Sequence, residues 1–221
     1  MKNQSGATLI TILVLLLLIT IIATLAIKKS QVSLGLATAT QAQQVMFQSS
    51  DAALKEFEVE YTRGSNRAQT SVFEVIKQNP SKEVVWCYDT SQNQFFSISR
   101  YSVIDNSNSN SMGVAGYCKA DVYASGRNAV ITQIAATTAN PDSNSIILTQ
   151  TSNANETSVR RIRVYVTSAI PALSSASTND INDCFSKHMS APATDDKSLD
   201  ACLTEQNVPH YTAIAEYQDE N

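Results

Sequence analysis

A chain of 221 residues that is 43% hydrophobic and carries a formal net charge of -4 has room for one apolar span and one globular domain, and its acidic balance argues against a general nucleic-acid-binding surface. Two histidines, His188 and His210, stand outside any motif such as His-Glu-x-x-His, and no Gly-rich phosphate loop occurs. Catalysis therefore has little support, and no catalytic residue, resident metal or cofactor is expected.

Residues 7–27 contain no charge, no Gly and no Pro. As a helix rising about 1.5 Å per residue this run spans roughly 32 Å, against a hydrocarbon core of about 30 Å. Its four threonines can return their hydroxyls to backbone carbonyls. Before the run stand Met1, Lys2, Asn3, Gln4, Ser5 and Gly6, and after it Lys28 and Lys29. A secretory signal peptide fits poorly, because the run exceeds the ~7 to 15 residues of an h-region and no small-x-small site precedes a change of composition. A plain single-span anchor explains the hydropathy but neither Gly6 nor the helical pattern that follows. The third reading is a short basic leader ending in Gly6 directly against the apolar run, which leaves the apolar helix on a protein that begins at Ala7.

Residues 30–61 continue as an amphipathic helix. Val32, Leu36, Ala39, Ala42, Val45, Met46, Ala53, Phe57 and Tyr61 recur near the spacing of one face, while Leu34 and Leu54 lie off it, free to meet neighbours. Gly35 costs about 1 kcal/mol relative to Ala and marks a bend or weak point. Turn chemistry at 62–66, with Gly64, ends the helix. Joined to the apolar run, the whole makes a helix of roughly 80 Å, a length that suits lateral packing in a filament.

A short helix is expected at 71–77, before Asn79-Pro80. The period then changes to two: 83–88 and 94–101 read as an antiparallel hairpin whose aromatics form sheet core rather than a ligand cage. Residues 105–111 form a polar loop that lacks the Gly and the distal Glu of a calcium-binding EF-hand. Further strands are expected at 114–123, 130–135, 145–149 and 159–167. In the last, Ile162, Val164 and Val166 alternate with Arg161, Arg163 and Tyr165, and the arginines at 160, 161 and 163 suit a solvated sheet face better than a DNA contact.

After Pro171 the composition turns rich in Ser, Thr, Asp and Asn, a weakly hydrophobic segment that needs a cross-link. Cys87, Cys118, Cys184 and Cys202 all lie beyond the span, as disulfides in an oxidising compartment would. That decides the orientation, because Lys2 with the amino terminus and Lys28 with Lys29 balance under the positive-inside rule. Three pairings are possible. Sequence neighbours close most cheaply, which favours Cys87 with Cys118 and Cys184 with Cys202, each loop gaining about 3 to 4 kcal/mol in the chain-entropy model. A zinc site using His188 and Cys184 would need a free thiolate and conflicts with this pairing.

Lys2 to Gly6 followed by Ala7-Thr8-Leu9-Ile10, together with Gln44-Val45-Met46-Phe47-Gln48-Ser49-Ser50-Asp51-Ala52-Ala53-Leu54, resembles the type IV pilin family, and the second segment looks like the helix of PilX-type minor pilins. The resemblance covers roughly the first quarter of the chain. It implies an α+β fold, with a long N-terminal helix, membrane-embedded in its first half, packed on an antiparallel β-sheet and followed by a disulfide-bounded C-terminal extension. The corresponding divisions are a leader (1–6), an apolar helix (7–27), its amphipathic continuation (28–62), a sheet domain (63–170) and the extension (171–221). Family members carry Phe or Met at the first mature position and Glu at the fifth, where this chain has Ala7 and Thr11. The resemblance further implies a prepilin peptidase as processing partner, and the major pilin, other minor pilins and a large tip adhesin as assembly partners. The protein would sit in the inner membrane with a periplasmic domain before assembly and in the pilus afterwards. A type II secretion pseudopilin and a single-span periplasmic binding or adhesive module outside any filament are the rival readings.

Overall fold

The computed structural model describes residues 5–63, 71–89, 95–105, 110–112, 116–121, 129–139, 160–192 and 197–219. The chain divides into two compact units, Met1–Gln43 and Gln44–Asn221. The first is the start of helix α1 (Ser5–Arg63). Within it Leu9–Ile27 is long and apolar enough to cross a membrane, and none of that stretch is buried. The Thr20 and Thr24 hydroxyls donate to the Leu17 and Ile21 carbonyls at 2.8 Å, so neither needs an outside partner. The helix runs through Gly35 and ends at Arg63; Gly64 lies outside the described residues.

The second unit is built on one antiparallel sheet. Its strands are β1 (Glu83–Cys87), β2 (Ser102–Ile104), β3 (Asn110–Met112), β4 (Ile131–Ala139), β5 (Arg160–Ala169) and β6 (His210–Asp219), in the order β3-β2-β1-β4-β5-β6. Alternation puts Val84, Trp86, Ile134, Ala136, Ile162, Val164 and Val166 on one face, where they meet α1 and the short helix α2 (Val72–Gln78). Ser71 caps α2 by accepting the Glu74 N–H, and Asn79 closes it by donating to the Val75 carbonyl at 2.8 Å. Phe57 of α1 is wholly buried at the centre of this core. Its ring centroid lies 5.0 Å from that of Tyr217, 5.6 Å from Phe73, 6.2 Å from Phe95 and 6.3 Å from Trp86.

The stripe by which α1 docks is Met46, Ser50, Ala53 and Phe57, all buried. It is rotated from the expected face, since Val45 is 47% exposed and Leu54 packs against the core. The reason is Ser50, a polar residue at the middle of the buried side. Ser49 Oγ lies 2.7 Å from Thr132 Oγ1, Thr132 Oγ1 2.8 Å from Ser168 Oγ, and Ser168 Oγ 2.7 Å from Ser50 Oγ. Four hydroxyls thus form one continuous chain between helix and sheet.

Several expected elements differ. Of the expected strand 94–101, the described part, 95–101, is not the second strand of a hairpin: Phe95 and Phe96 are adjacent, yet both lie against Trp86, at centroid distances of 5.6 and 5.2 Å, which a strand of period two does not allow. The partner of β1 is instead β2, with Val84 opposite Val103. Asn110 and Ser111, expected in the polar loop, open β3. Of the expected strand 114–123, the described part, 116–121, is not a strand. Its donors go to side chains, Cys118 N–H to Gln133 Oε1 at 2.9 Å and Ala120 N–H to Asn182 Oδ1 at 2.7 Å. The expected strand 145–149 falls outside the described residues.

The segment from residue 171 on carries the expected Cys184–Cys202 disulfide, and its described part also returns to the sheet. After a 3-10 turn at Pro171–Leu173 come α3 (Thr178–Lys187) and α4 (Leu199–Glu205), and then β6 pairs with β5 in unbroken register from Ala169 opposite His210 to Arg160 opposite Asp219. Two of the serines serve as helix caps, Ser177 accepting the Asp180 N–H and Ser198 the Ala201 N–H.

Phe57→Ala should destabilise the folded domain by about 3 to 5 kcal/mol, because it empties the centre of an aromatic cluster that backbone shifts cannot refill. Denaturant unfolding followed by Trp86 fluorescence checks this, since the indole lies in the same core.

Candidate functional site

The residues singled out by sequence fall into two places. Gly6 and Ala7 lie in the first turn of α1, and Thr11 follows in its next turn. The large apolar side chains from Leu9 to Ile27 are exposed. A helix apolar on every side has no solvated face, the character of a membrane anchor or a signal sequence. Thr11 leaves this stretch without a charge.

The second place is one end of the sheet, where both disulfides meet. Cys87 bonds Cys118 with Cα atoms 4.8 Å apart, and Cys184 bonds Cys202 at 5.6 Å. Rather than stapling two separate regions, they belong to one cluster with Ile131, Ile181, Phe185, Leu199 and Leu203. The first bond fastens the segment before β4 to the end of β1, and the second joins α3 to α4. Gln133, buried on β4, bridges the cluster by donating to the Phe185 carbonyl at 3.1 Å.

The histidines are engaged by backbone. His188 Nδ1 lies 2.9 Å from the Lys197 carbonyl, and His210 Nδ1 2.9 Å from the Val208 carbonyl. Cys184 is oxidised in its disulfide, so the pairing of His188 with a Cys184 thiolate does not exist here. Among the described residues no group of three His, Cys, Asp or Glu is placed to hold a metal ion.

The face of β5 that carries Arg161 and Arg163 is solvated at that end, where the Arg163 side chain is 35% exposed, and covered further along the strand. Arg163 pairs with Glu216, Nε to Oε1 at 2.6 Å, and Tyr165 beside it is buried with Val85, Ile104, Ala135 and Met189. An arginine held by a carboxylate on the next strand is poorly free to meet phosphate.

Two residues were not legible as special. Gly116 sits so close to the preceding turn that a Cβ would come within 2.2 Å of the Ser102 nitrogen and 2.4 Å of the Tyr101 carbonyl carbon; only glycine admits that approach. Glu83 opens β1 yet is fully buried, accepting the Ser190 N–H at 2.8 Å and the Ala191 N–H at 2.9 Å. Burial pushes its carboxyl above the ordinary value, with the two N–H bonds offsetting part of that. The one hint in sequence was its position directly before Val84-Val85-Trp86, at the head of an apolar strand.

Comparison of the chain with family models, with curated proteins and with solved structures finds no match.

Replacing Cys184 and Cys202 together by Ala should cost about 3 kcal/mol through the loop that the bond closes, with α3 and α4 losing protection before the sheet does. Hydrogen exchange of the variant reads that order, and non-reducing peptide mapping of the wild type should return Cys87 with Cys118 and Cys184 with Cys202.

Proposed function

We propose that this chain is a minor pilin of a type IV pilus, of the PilX type, acting in the complex that initiates pilus assembly. The observation that carries the reading is α1 itself: Gly6 directly abuts an uncharged apolar stretch, and the same helix goes on to dock its later residues on an antiparallel sheet. A simple anchor needs the apolar stretch, but neither Gly6 before it nor the docking that follows. The two disulfides support a domain matured in an oxidising compartment, the periplasm, with the apolar helix held in the inner membrane until assembly. In this role the partners are other minor pilins, the major pilin and a large tip adhesin, and the prepilin peptidase removes the leader. No chemical step is assigned to the protein.

One observation favours a second reading. Thr11 stands where the family has the Glu that meets a neighbouring amine, so a single-span periplasmic binding or adhesive module outside a filament lacks nothing that this chain has.

The mature protein should begin at Ala7, with a methylated amine by likeness to the family, and replacement of Gly6 by a bulkier residue should leave the leader attached. Intact mass and N-terminal sequencing of the membrane-extracted protein check this. A retained Met1, or a cut beyond Ala26, removes the pilin reading.

Deletion should abolish or strongly reduce surface pili while the membrane pool of major pilin persists. Full-length protein should restore them, and a soluble fragment beginning near Ser30 should bind partner minor pilins without restoring pili. Pilus counts by electron microscopy decide both points: normal piliation in the deletion strain leaves the single-span reading, and rescue by the soluble fragment shows that the apolar helix is not what assembly depends on.

A further inference from the structure

Residues 188–192, which leave the end of α3, lie against the outer face of the sheet as a strap, and α3 itself is tied to α4 by the Cys184–Cys202 bond. Met189 is its plug, buried with Val85, Ile104, Ala135 and Tyr165. The next two backbone donors, Ser190 N–H and Ala191 N–H, both go to the carboxyl of Glu83, at Oε2 and Oε1 respectively. A fully buried side chain on a central strand is therefore what receives the strap.

The charges around this carboxyl are engaged elsewhere. Just before β1, Lys82 reaches Asp105, just past β2, at 3.9 Å. At the end of α3 Lys187 pairs with Asp183 at 2.7 Å and His188 bonds the Lys197 carbonyl, while Lys197 pairs with Glu205. Arg163 on β5 pairs with Glu216. Tyr165 on β5 and Tyr117, before Cys118, are the remaining titratable groups of the cluster. Among the described residues, none forms an ion pair with Glu83.

We propose that Glu83 is a proton-operated clasp, holding the Met189–Ala191 strap against the outer face of the sheet more tightly in mild acid than at neutral pH. A carboxylate buried without a cation is costly, a neutral carboxyl much less so, and lifting the strap returns the group to water. Closed, the carboxyl titrates above its ordinary 4.5, because burial outweighs the two N–H bonds and the Ser190 side-chain hydrogen bond together. The closed form therefore holds the extra proton in the window from 4.5 up to that raised value. Closure strengthens as pH falls through this window and is weakest above it. Opening withdraws Met189 and uncovers Val85 and Tyr165, so the clasp governs access to an apolar patch that is otherwise closed.

Hydrogen exchange of the full chain in detergent micelles at about pH 5 and about pH 8, corrected for intrinsic rates, reads opening at the Ser190 and Ala191 amides. Protection there should rise in acid, by up to about tenfold for each unit separating the closed and open values, and by more than it does along β5 and β6. Glu83→Gln, of nearly the same shape and without the titration, should show no such rise. Equal or lower protection in acid overturns the proposal in the wild-type protein alone, so a variant that fails to fold cannot shelter it. An acid-dependent rise that persists in folded Glu83→Gln overturns it too.

Discussion

Helix α1 is held to its domain along one narrow stripe, and the rest of the fold is arranged to receive it. Phe57 supplies the affinity: its ring meets α2 through Phe73, the sheet through Trp86 and Tyr217, and the segment before β2 through Phe95. Burial of this kind is strong but non-directional. What fixes the helix at one height and rotation is the chain Ser49, Thr132, Ser168, Ser50. Each hydrogen bond adds little net stability, on the order of 1 kcal/mol, but a slip of one residue would leave several buried hydroxyls unpaired at about 1 to 3 kcal/mol each. The apolar contact says that the helix docks. The hydroxyls say where.

At the other side of the sheet a different solution operates. The segment from Pro171 onward is sparing in large apolar side chains, and α3 and α4 are only 10 and 7 residues long, too short to persist alone. They are kept by a small cluster in which Ile181, Phe185, Leu199 and Leu203 are completed by the sulfurs of both disulfides, and by serine caps at both helix starts. Strand β6 then returns the chain to the sheet over ten residues. Cross-linking and sheet pairing together replace the core that composition could not provide.

How much of this could be read from the chain follows from which signals are local. The apolar run, the continuation of α1, helix α2 and strands β4 and β5 each rest on composition or spacing within a short local window, and they were legible. The cysteine pairing was legible as the cheapest closure. Strand β6 was not, because its inner face is Ala213, Ala215 and Tyr217; alanines give almost no period-two contrast, and the strand exists because β5 offers it an edge. The segment holding Phe95 and Phe96 misled for the opposite reason: aromatic content mimicked strand propensity while both rings served one cluster. Gly116 and Glu83 depend on what lies across the fold, the Ser102 backbone for one and the strap for the other, and no local window contains that information.

The proposed role turns on one substitution inside the apolar run. A charged side chain deep in hydrocarbon costs about 2.5 to 3.5 kcal/mol on insertion scales, and in the pilin family the fifth-position Glu offsets such a cost only when a neighbour's amine arrives. Under the proposed pilin role Thr11 removes both sides of that balance: the helix would rest in lipid without penalty, and no charge in its apolar part would pull it toward the next subunit. On this reading the drive to assemble must come from the domain, through contacts made outside the membrane. A shaft subunit would lose the pairing at every repeat along the filament, whereas a subunit placed once loses it once. A self-sufficient domain with its own aromatic core and two disulfides, carried on a helix without an internal charge, is therefore better matched to initiating a filament than to extending one.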